Sequence, residues 1–149
     1  MKYFDNLVCP YTKQKLYYNG QSLLSKDGKI CFPVIDGIPC FIKKDEIETW
    51  NNYHEIIYSQ LPTPPHPYYK QFAEDWDVML DLGCGDGAMS AGAAYKVKEI
   101  YCCDPSLRAL KVLQKRGIKN MYPILAKGEY LPFCDNFLMV FLVYLLLNI

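Results

Sequence analysis

Three glycines at alternate positions, Gly83, Gly85 and Gly87, constrain this chain most, because they directly follow a short apolar segment. That segment, Val78–Leu82, has the composition of a buried strand, and the small residues of Ala88–Tyr95 are compatible with a helix. Glycine has no Cβ, so the backbone can turn sharply here and a ligand can approach it closely. The stretch therefore predicts a strand, a tight turn and a helix, with a ligand bound at the turn.

The same alternation continues along the rest of the chain. Further strands are predicted at Glu99–Cys103, Met121–Leu125 and Phe137–Leu145. The helix that begins at Pro105-Ser106 continues to Lys115 and ends before Gly117, where a helix C-cap would lie. Buried strands that alternate with helices form parallel sheets wound by helices. Residues 68–149 are therefore predicted to form an α/β fold, a partial doubly wound (Rossmann-like) parallel sheet.

Residues 1–43 are predicted to form a small β-rich module ahead of this sheet. Asn-Gly and Asp-Gly pairs favour the tight turns of hairpins, and here they separate short apolar segments. The predicted strands are Lys15–Tyr18, Ser22–Ser25, Lys29–Pro33 and Cys40–Ile42, with turns at Asn19-Gly20, Asp27-Gly28 and Asp36-Gly37. Residues 44–67 are predicted to connect the two parts. They contain a helix over 45–60 and a proline-rich segment, 61–67, that cannot continue a helix.

Composition limits the classes of partner. The chain has 149 residues, 51% of them hydrophobic, which excludes intrinsic disorder for the chain as a whole. Lys plus Arg and Asp plus Glu both number 16, so the net charge is zero and no basic tail supports binding to nucleic acid. The 7 cysteines are odd in number, two are adjacent, and no apolar leader precedes them. We therefore expect free thiols and a cytoplasmic location.

A continuous apolar run lies at residues 137–147. As a helix it would be about 16 Å long, roughly half of a hydrocarbon core, so a membrane span is not expected. As a strand buried on both faces it has an ordinary composition. An apolar strand of this length at a sheet edge favours association. We therefore expect a partner chain or self-association through 137–147.

Two classes of cofactor fit the glycine turn. The glycines and Ala88 satisfy the G-x-G-x-x-G/A pattern of dinucleotide sites, and Asp104 stands near the distance expected for a ribose-binding acid. The carboxylates of Asp81 and Asp86 would repel a pyrophosphate, whereas a ligand with a cationic amine and a sulfonium would favour them. S-adenosylmethionine has both groups. Asp104 can also cap the helix that begins at Pro105, and this role is compatible with either ligand.

The ordered stretches LDLGCGDG, CCDPS and GEYLPFCDNF resemble the first three motifs of class I S-adenosylmethionine-dependent methyltransferases, in the branch with a Leu-Pro-Phe element. The resemblance covers roughly residues 68–145. It implies that Asp81 and the glycines hold the methionine end, Asp104 the ribose, and the turn from Lys127 to Glu129 the adenine edge. The cofactor-binding residues that it implies are Asp81, Gly83, Cys84, Gly85, Gly87, Asp104, Pro105 and Glu129. It implies no catalytic side chain.

A second resemblance concerns residues 7–42, where LVCPYTKQKL, a hairpin and FPVIDGIPCFI are similar to the small Trm112-like module. Related ribosomal RNA guanine methyltransferases carry a zinc ribbon at this place. A zinc ribbon needs paired cysteines, and this segment offers only Cys9, Cys31 and Cys40, which are scattered. We therefore expect buried apolar thiols and no metal.

The chain departs from the methyltransferase pattern at several places. Lys127 stands where the family usually has an acid near the adenine amino group, and Phe137-Leu138 replaces the usual Phe-Asp. The resemblance also implies a C-terminally truncated domain, with enough sheet to bind the cofactor and too little to use it. The leading hypothesis is methyl transfer to a small molecule or RNA. The alternatives are a non-catalytic partner module with a vestigial cofactor fold and, third, a dinucleotide oxidoreductase.

Overall fold

The computed structural model describes residues 1–54, 61–137 and 140–143. Its N-terminal module begins with a 3-10 helix, Lys2–Asn6. An antiparallel sheet of four short strands in the order β1-β2-β3-β4 follows. These strands are β1 (Tyr17–Tyr18), β2 (Ser22–Leu24), β3 (Cys31–Ile35) and β4 (Ile38–Pro39). The small β-rich module predicted from the sequence is present.

The fourth strand of the module is not where it was predicted. Asp36 and Gly37 both have positive φ, 50° and 81°, as a two-residue hairpin turn requires. Because this turn pairs Ile35 with Ile38, β4 begins at once, and the prediction of a strand at Cys40–Ile42 is wrong. Cys40 instead bridges to Leu125 of the second sheet.

One helix, α1 (Lys44–His54), follows the module. The remainder of the helix predicted over 45–60 lies outside the described residues. Residues 61–67 contain no helix, as their prolines predict. A single 3-10 turn, Tyr69–Gln71, then leads into the second sheet.

The second sheet is parallel, with the strand order β7-β6-β5-β8. Its strands are β5 (Val78–Leu82), β6 (Glu99–Asp104), β7 (Met121–Leu125) and β8 (Val140–Val143). Two short helices, α2 (Ala88–Ala93) and α3 (Leu107–Gln114), make the crossovers between the first three. The predicted α/β fold is confirmed. β5 and β7 agree with the prediction residue for residue, and β8 lies inside the predicted strand.

The start of α3 corrects one detail of the sequence analysis. Ser106 is the N-cap residue, and its hydroxyl accepts a hydrogen bond from the backbone N–H of Ala109 at 3.2 Å. Asp104 lies before the cap, so the expectation that it caps this helix itself is wrong. Its carboxylate accepts instead from the backbone N–H of Ser106, which ties the cap to the end of β6.

The two faces of the parallel sheet are covered differently. On one face, Met79, Ile100 and Cys102 pack in a buried cluster with Leu110 of α3 and Ala93 of α2. The N-terminal module covers the other face. There its buried residues Phe4, Leu7, Leu23 and Phe41 share a cluster with Leu80, Tyr101 and Ile124 of the sheet.

Main-chain contacts also join the two parts. The backbone N–H of Phe41 donates to the carbonyl of Leu125 at 2.8 Å, and that of Val8 donates to the carbonyl of Pro132 at 2.9 Å. The module is therefore part of the structure that shapes the carboxyl edge of the sheet. Across the described residues, no helix is long and apolar enough to cross a bilayer.

Candidate functional site

The glycine turn folds onto the end of the neighbouring strand. The backbone N–H of Gly83 donates to the carbonyl of Cys103 at 2.8 Å, and that of Gly85 donates to a carboxylate oxygen of Asp104 at 2.9 Å. Strands β5 and β6 are parallel, so their carboxyl ends lie at the same edge of the sheet. The structure thus brings the predicted glycine turn and the predicted ribose-binding acid into direct contact.

Asp104 is buried at this edge, with 3% of its surface exposed. One carboxylate oxygen accepts from the backbone N–H of Gly85, and the other accepts from that of Ser106 at 2.8 Å. These two bonds, from the glycine turn and from the start of α3, fix the orientation of the carboxylate. The arrangement is suited to hold a diol that approaches from the edge.

Asp81 lies one strand away and is also buried. Its carboxylate accepts hydrogen bonds from the hydroxyls of Ser90, at 2.5 Å, and Tyr69, at 3.3 Å. Burial raises the pKa of Asp81 to about 6, and the charge of Asp104 adds to this effect, while the two hydroxyls oppose it. Among the described residues no cationic side chain forms an ion pair with Asp81, so the site keeps a negative charge at neutral pH.

Asp86 behaves differently from the other two acids. Its carboxylate pairs with the guanidinium of Arg116 at 3.0 Å, and these side chains are only 6% and 5% exposed. It also accepts from the backbone N–H and the hydroxyl of Thr63, at 2.8 and 2.6 Å. From its position in the sequence, Asp86 was expected to repel a pyrophosphate together with Asp81. Because Arg116 neutralises it, that electrostatic argument now rests on Asp81.

The glycines of the turn have different surroundings. Gly83 has a φ of +75°, and a Cβ placed on it would meet nothing within 4 Å. Gly87 has a φ of +74°, but a Cβ there would come within 2.7 Å of the Met121 side chain and 2.8 Å of that of Leu113. Gly83 therefore leaves open space at the edge, whereas Gly87 is required for packing. Gly85, with a φ of 56°, turns the chain between them.

The three other predicted site residues lie in the glycine turn, after the end of β6 and after β7. Cys84 is half-buried, and burial holds the pKa of its thiol well above the usual range, so it is uncharged. Pro105 is half-buried between the two residues that fix the start of α3. Glu129 is exposed in the turn that follows β7, and its charge acts on Lys127.

Sequence patterns did not indicate the residues that contact the predicted ones at this edge, namely Glu46, Tyr69, Ser90 and Arg116. The ammonium of Lys127 forms an ion pair with Glu46 of α1 at 2.5 Å, across 81 positions of sequence. Tyr69, Ser90 and Arg116 hold the acids of the site in place, as described above. The spacing of residues in the sequence does not reveal such contacts, because the two residues of each pair lie on different helices, strands or turns.

In the described part of the chain, the structure brings together no group of three or more His, Cys, Asp or Glu side chains that could hold a metal ion. Cys9 and Cys40 are buried free thiols, as expected, but Cys31 is exposed, so the expectation of a buried thiol is wrong for Cys31.

Comparison with known proteins gives separate matches for the two parts. Residues 79–149 match the family model described as "Methyltransferase domain". This match includes the glycine turn, the end of β6 and the segment after β7.

Curated relatives match the N-terminal part. A UPF0434 protein of Neisseria meningitidis serogroup A is 41% identical over 46 residues, which cover 30% of this chain and 77% of the relative. A UPF0434 protein of Ehrlichia chaffeensis is 50% identical over 38 residues, covering 24% of this chain and 68% of the relative.

Solved structures align with this chain over a smaller share of their own length than the curated relatives do. The YcgJ protein of Bacillus subtilis is 24% identical, with a TM-score of 0.40, over 45% of this chain and 30% of that one. An rRNA methylase of Streptococcus thermophilus is 25% identical, with a TM-score of 0.35, over 44% of this chain and 45% of that one. The chain spans less than half the length of either structure.

Proposed function

We propose that this chain, which belongs to the UPF0434 family through its N-terminal module, is an S-adenosylmethionine-dependent methyltransferase, because residues 79–149 match a methyltransferase domain. The residues at the carboxyl edge fit this cofactor. They offer a buried carboxylate for a diol, open space at Gly83, and a second carboxylate without a cationic partner among the described residues.

The observation that carries the proposal is the contact between Asp104 and the glycine turn. Two backbone N–H groups orient its carboxylate at the carboxyl edge, where the ribose hydroxyls would donate to it. Gly83 and Gly85 then lie beside the 5′ substituent of the ribose. In this assignment Cys84 and Pro105 line the site, and Glu129 lies at its far end.

Asp81 gives the site its preference for a cation. A carboxylate buried without a paired cation gains from a bound ammonium group more than an exposed one does. Asp81 would hold the amino group of the methionine end, either directly or through Ser90 and Tyr69, which contact it. A dinucleotide would instead place a pyrophosphate near this carboxylate, so we rank an oxidoreductase lower.

Bound S-adenosylmethionine supplies a methyl group made electrophilic by its positively charged sulfur. The residues of the chain have to orient this group and exclude water, and acid–base chemistry is secondary. Asp104 and the glycine turn fix the nucleoside, and Asp81 fixes the amino acid end. We therefore assign no catalytic acid or base.

The proposed methyl acceptor is a small molecule or RNA. The proposed location of the chain is the cytoplasm. An exposed pair of rings, Tyr11 of the module and Tyr130 after β7, lies at the edge of the sheet with its centroids 5.0 Å apart. Such rings can stack on a planar acceptor. The ammonium of Lys13 donates to the carbonyls of Leu131 and Phe133, which holds its positive charge beside the segment after β7.

A second candidate is a non-catalytic module that binds a partner chain or itself. Its support is the position of β8, which pairs with β5 on one side, while no described strand pairs with its other side. This candidate predicts a dimer or complex through 137–147. A monomeric mass in light scattering at high concentration would count against it.

The proposed function is tested by calorimetric titration of S-adenosylhomocysteine into the full chain. The wild type is expected to bind, and Asp104→Ala to bind at least about tenfold more weakly, since hydrogen bonds to a charged group are lost. Asp77→Ala is the matched control, because Asp77 is exposed and pairs with Lys98 on the surface. A wild type that gives no binding heat would contradict the proposal.

A further inference from the structure

The strand order limits where the base of a bound nucleoside can lie. Along the carboxyl edge, the glycine turn follows β5, Asp104 ends β6, and Lys127 follows the neighbouring strand β7. A ribose held at Asp104, with its 5′ substituent at the glycine turn, has its base on the opposite side. The base therefore points toward the end of β7, where Lys127 lies.

Lys127 is not alone there. Its ammonium contacts one carboxylate oxygen of Glu46 at 2.5 Å, and the other oxygen accepts from the backbone N–H of Lys43 at 3.2 Å. The two side chains of the pair are 27% and 32% exposed, so both keep polar atoms within reach of a ligand. The hydrogen bond between them lowers the pKa of Glu46 and raises that of Lys127, so both are charged at neutral pH.

The position of Glu46 is fixed by the packing of α1. Asn51 accepts a hydrogen bond from the backbone N–H of Arg108 at 3.0 Å, so α1 lies against the first turn of α3. Ile47 and Trp50 pack against the buried cluster that includes Leu107. Because α3 begins just after Asp104, the helix that carries Glu46 lies next to the proposed ribose position.

An adenine edge matches this ion pair chemically. Ring nitrogen N1 accepts a hydrogen bond, and the 6-amino group donates one, side by side. An ammonium and a carboxylate in contact present one donor and one acceptor side by side. We propose that Lys127 and Glu46 read the adenine of the cofactor, with Lys127 donating to N1 and Glu46 accepting from the 6-amino group. This assignment rests on the proposed function.

The carboxylate that meets the amino group thus comes from α1. Glu129, the other acid whose charge acts on Lys127, is a turn residue on the exposed surface. α1 would therefore have two roles, to close the site beside Asp104 and to select the base.

The test measures base discrimination, using S-adenosylhomocysteine and its analogue with hydrogen in place of the 6-amino group. In the wild type the analogue is expected to bind about tenfold more weakly, because Glu46 loses its donor. In Glu46→Ala the two compounds are expected to bind equally. Glu46→Gln, whose amide oxygen still accepts, should recover part of the preference, and Glu48→Ala on the same helix should leave it unchanged.

A purely structural role for Glu46 gives a different pattern. Loss of α1 packing would weaken the binding of both compounds equally, so the ratio of their affinities would stay at the wild-type value. That result would overturn the assignment. Equal binding of both compounds by the wild type would overturn it too, while the proposed function would stand. If the wild type binds neither compound, the proposed function fails, and this assignment fails with it.

Discussion

The two ends of the candidate site are built in different ways. At the glycine-turn end, Asp81 and Asp104 are 1% and 3% exposed and are fixed by hydrogen bonds from neighbouring elements. At the β7 end, the side chains of Lys127 and Glu46 are about a third exposed and hold each other. Hydrogen bonds from a ligand to rigid, buried groups contribute more to its affinity than contacts with an exposed, flexible ion pair do. The first end should therefore set affinity, and the second should set selectivity for the base.

The largest effect should come from breaking the support behind the rigid end. Arg116→Met leaves the carboxylate of Asp86 buried without its cation, which typically costs about 3–5 kcal/mol of folding stability. Denaturant unfolding of the full chain measures this loss. Lys98→Met removes the exposed pair with Asp77, whose side chains are 75% and 78% exposed, and should leave the midpoint unchanged. If both substitutions have the same small effect, the glycine turn does not depend on the buried pair.

The pH dependence of stability tests the burial of Asp81. Its pKa is about 6 in the folded chain against 3.8 for the free group, so the folded state holds its proton to higher pH than the unfolded state. This contribution is most favourable below about pH 4 and is lost as the pH rises to about 6, by about 3 kcal/mol in total. Asp81→Asn does not titrate.

The measurement is the difference in unfolding free energy between wild type and Asp81→Asn at several pH values. Acids that do not interact with Asp81 titrate alike in both proteins and cancel in the difference, whereas Asp104, whose charge acts on Asp81, contributes to it. Relative to the variant, the wild type should lose stability between about pH 4 and 6 and then change no further. A difference that is flat across this interval would mean that Asp81 is solvated.

The glycines of the turn separate binding from packing. Gly83→Ala and Gly28→Ala both place a side chain at positive φ, +75° and +71°, with no neighbour within 4 Å of the new Cβ. Each should lose about 1–2 kcal/mol of stability. Only Gly83→Ala should also weaken binding of S-adenosylhomocysteine, because its Cβ enters the open edge. Equal binding by the two variants would place the ligand elsewhere.

The ring pair at the β7 end should have the smallest effect. Tyr11→Ala removes the contact between Tyr11 and Tyr130, which is worth about 0.5–1.5 kcal/mol in aromatic pairs generally. Thermal unfolding should therefore shift slightly, and affinity for S-adenosylhomocysteine should change by less than about threefold. A loss of affinity as large as that of Asp104→Ala would reverse the ranking of the two ends.

The sequence predicted the parts of the fold whose signals are local. β5 and β7 are apolar runs bounded by turn residues, so their limits could be read directly. β4 was misplaced because a hairpin turn of two residues starts the return strand immediately. Lys127 and Glu46 form an ion pair although they are 81 positions apart. Arg116 and Asp86, which also contact each other, are 30 positions apart. No local sequence pattern specifies such partners.

The most direct test of the account is a crystal structure of the full chain grown with S-adenosylhomocysteine. The account predicts the ribose hydroxyls within hydrogen-bonding distance of Asp104, the amino acid end beside Gly83 and Asp81, and the adenine toward Lys127 and Glu46. A ligand bound at any other place, or a chain that crystallises without the ligand at saturating concentration, would contradict it.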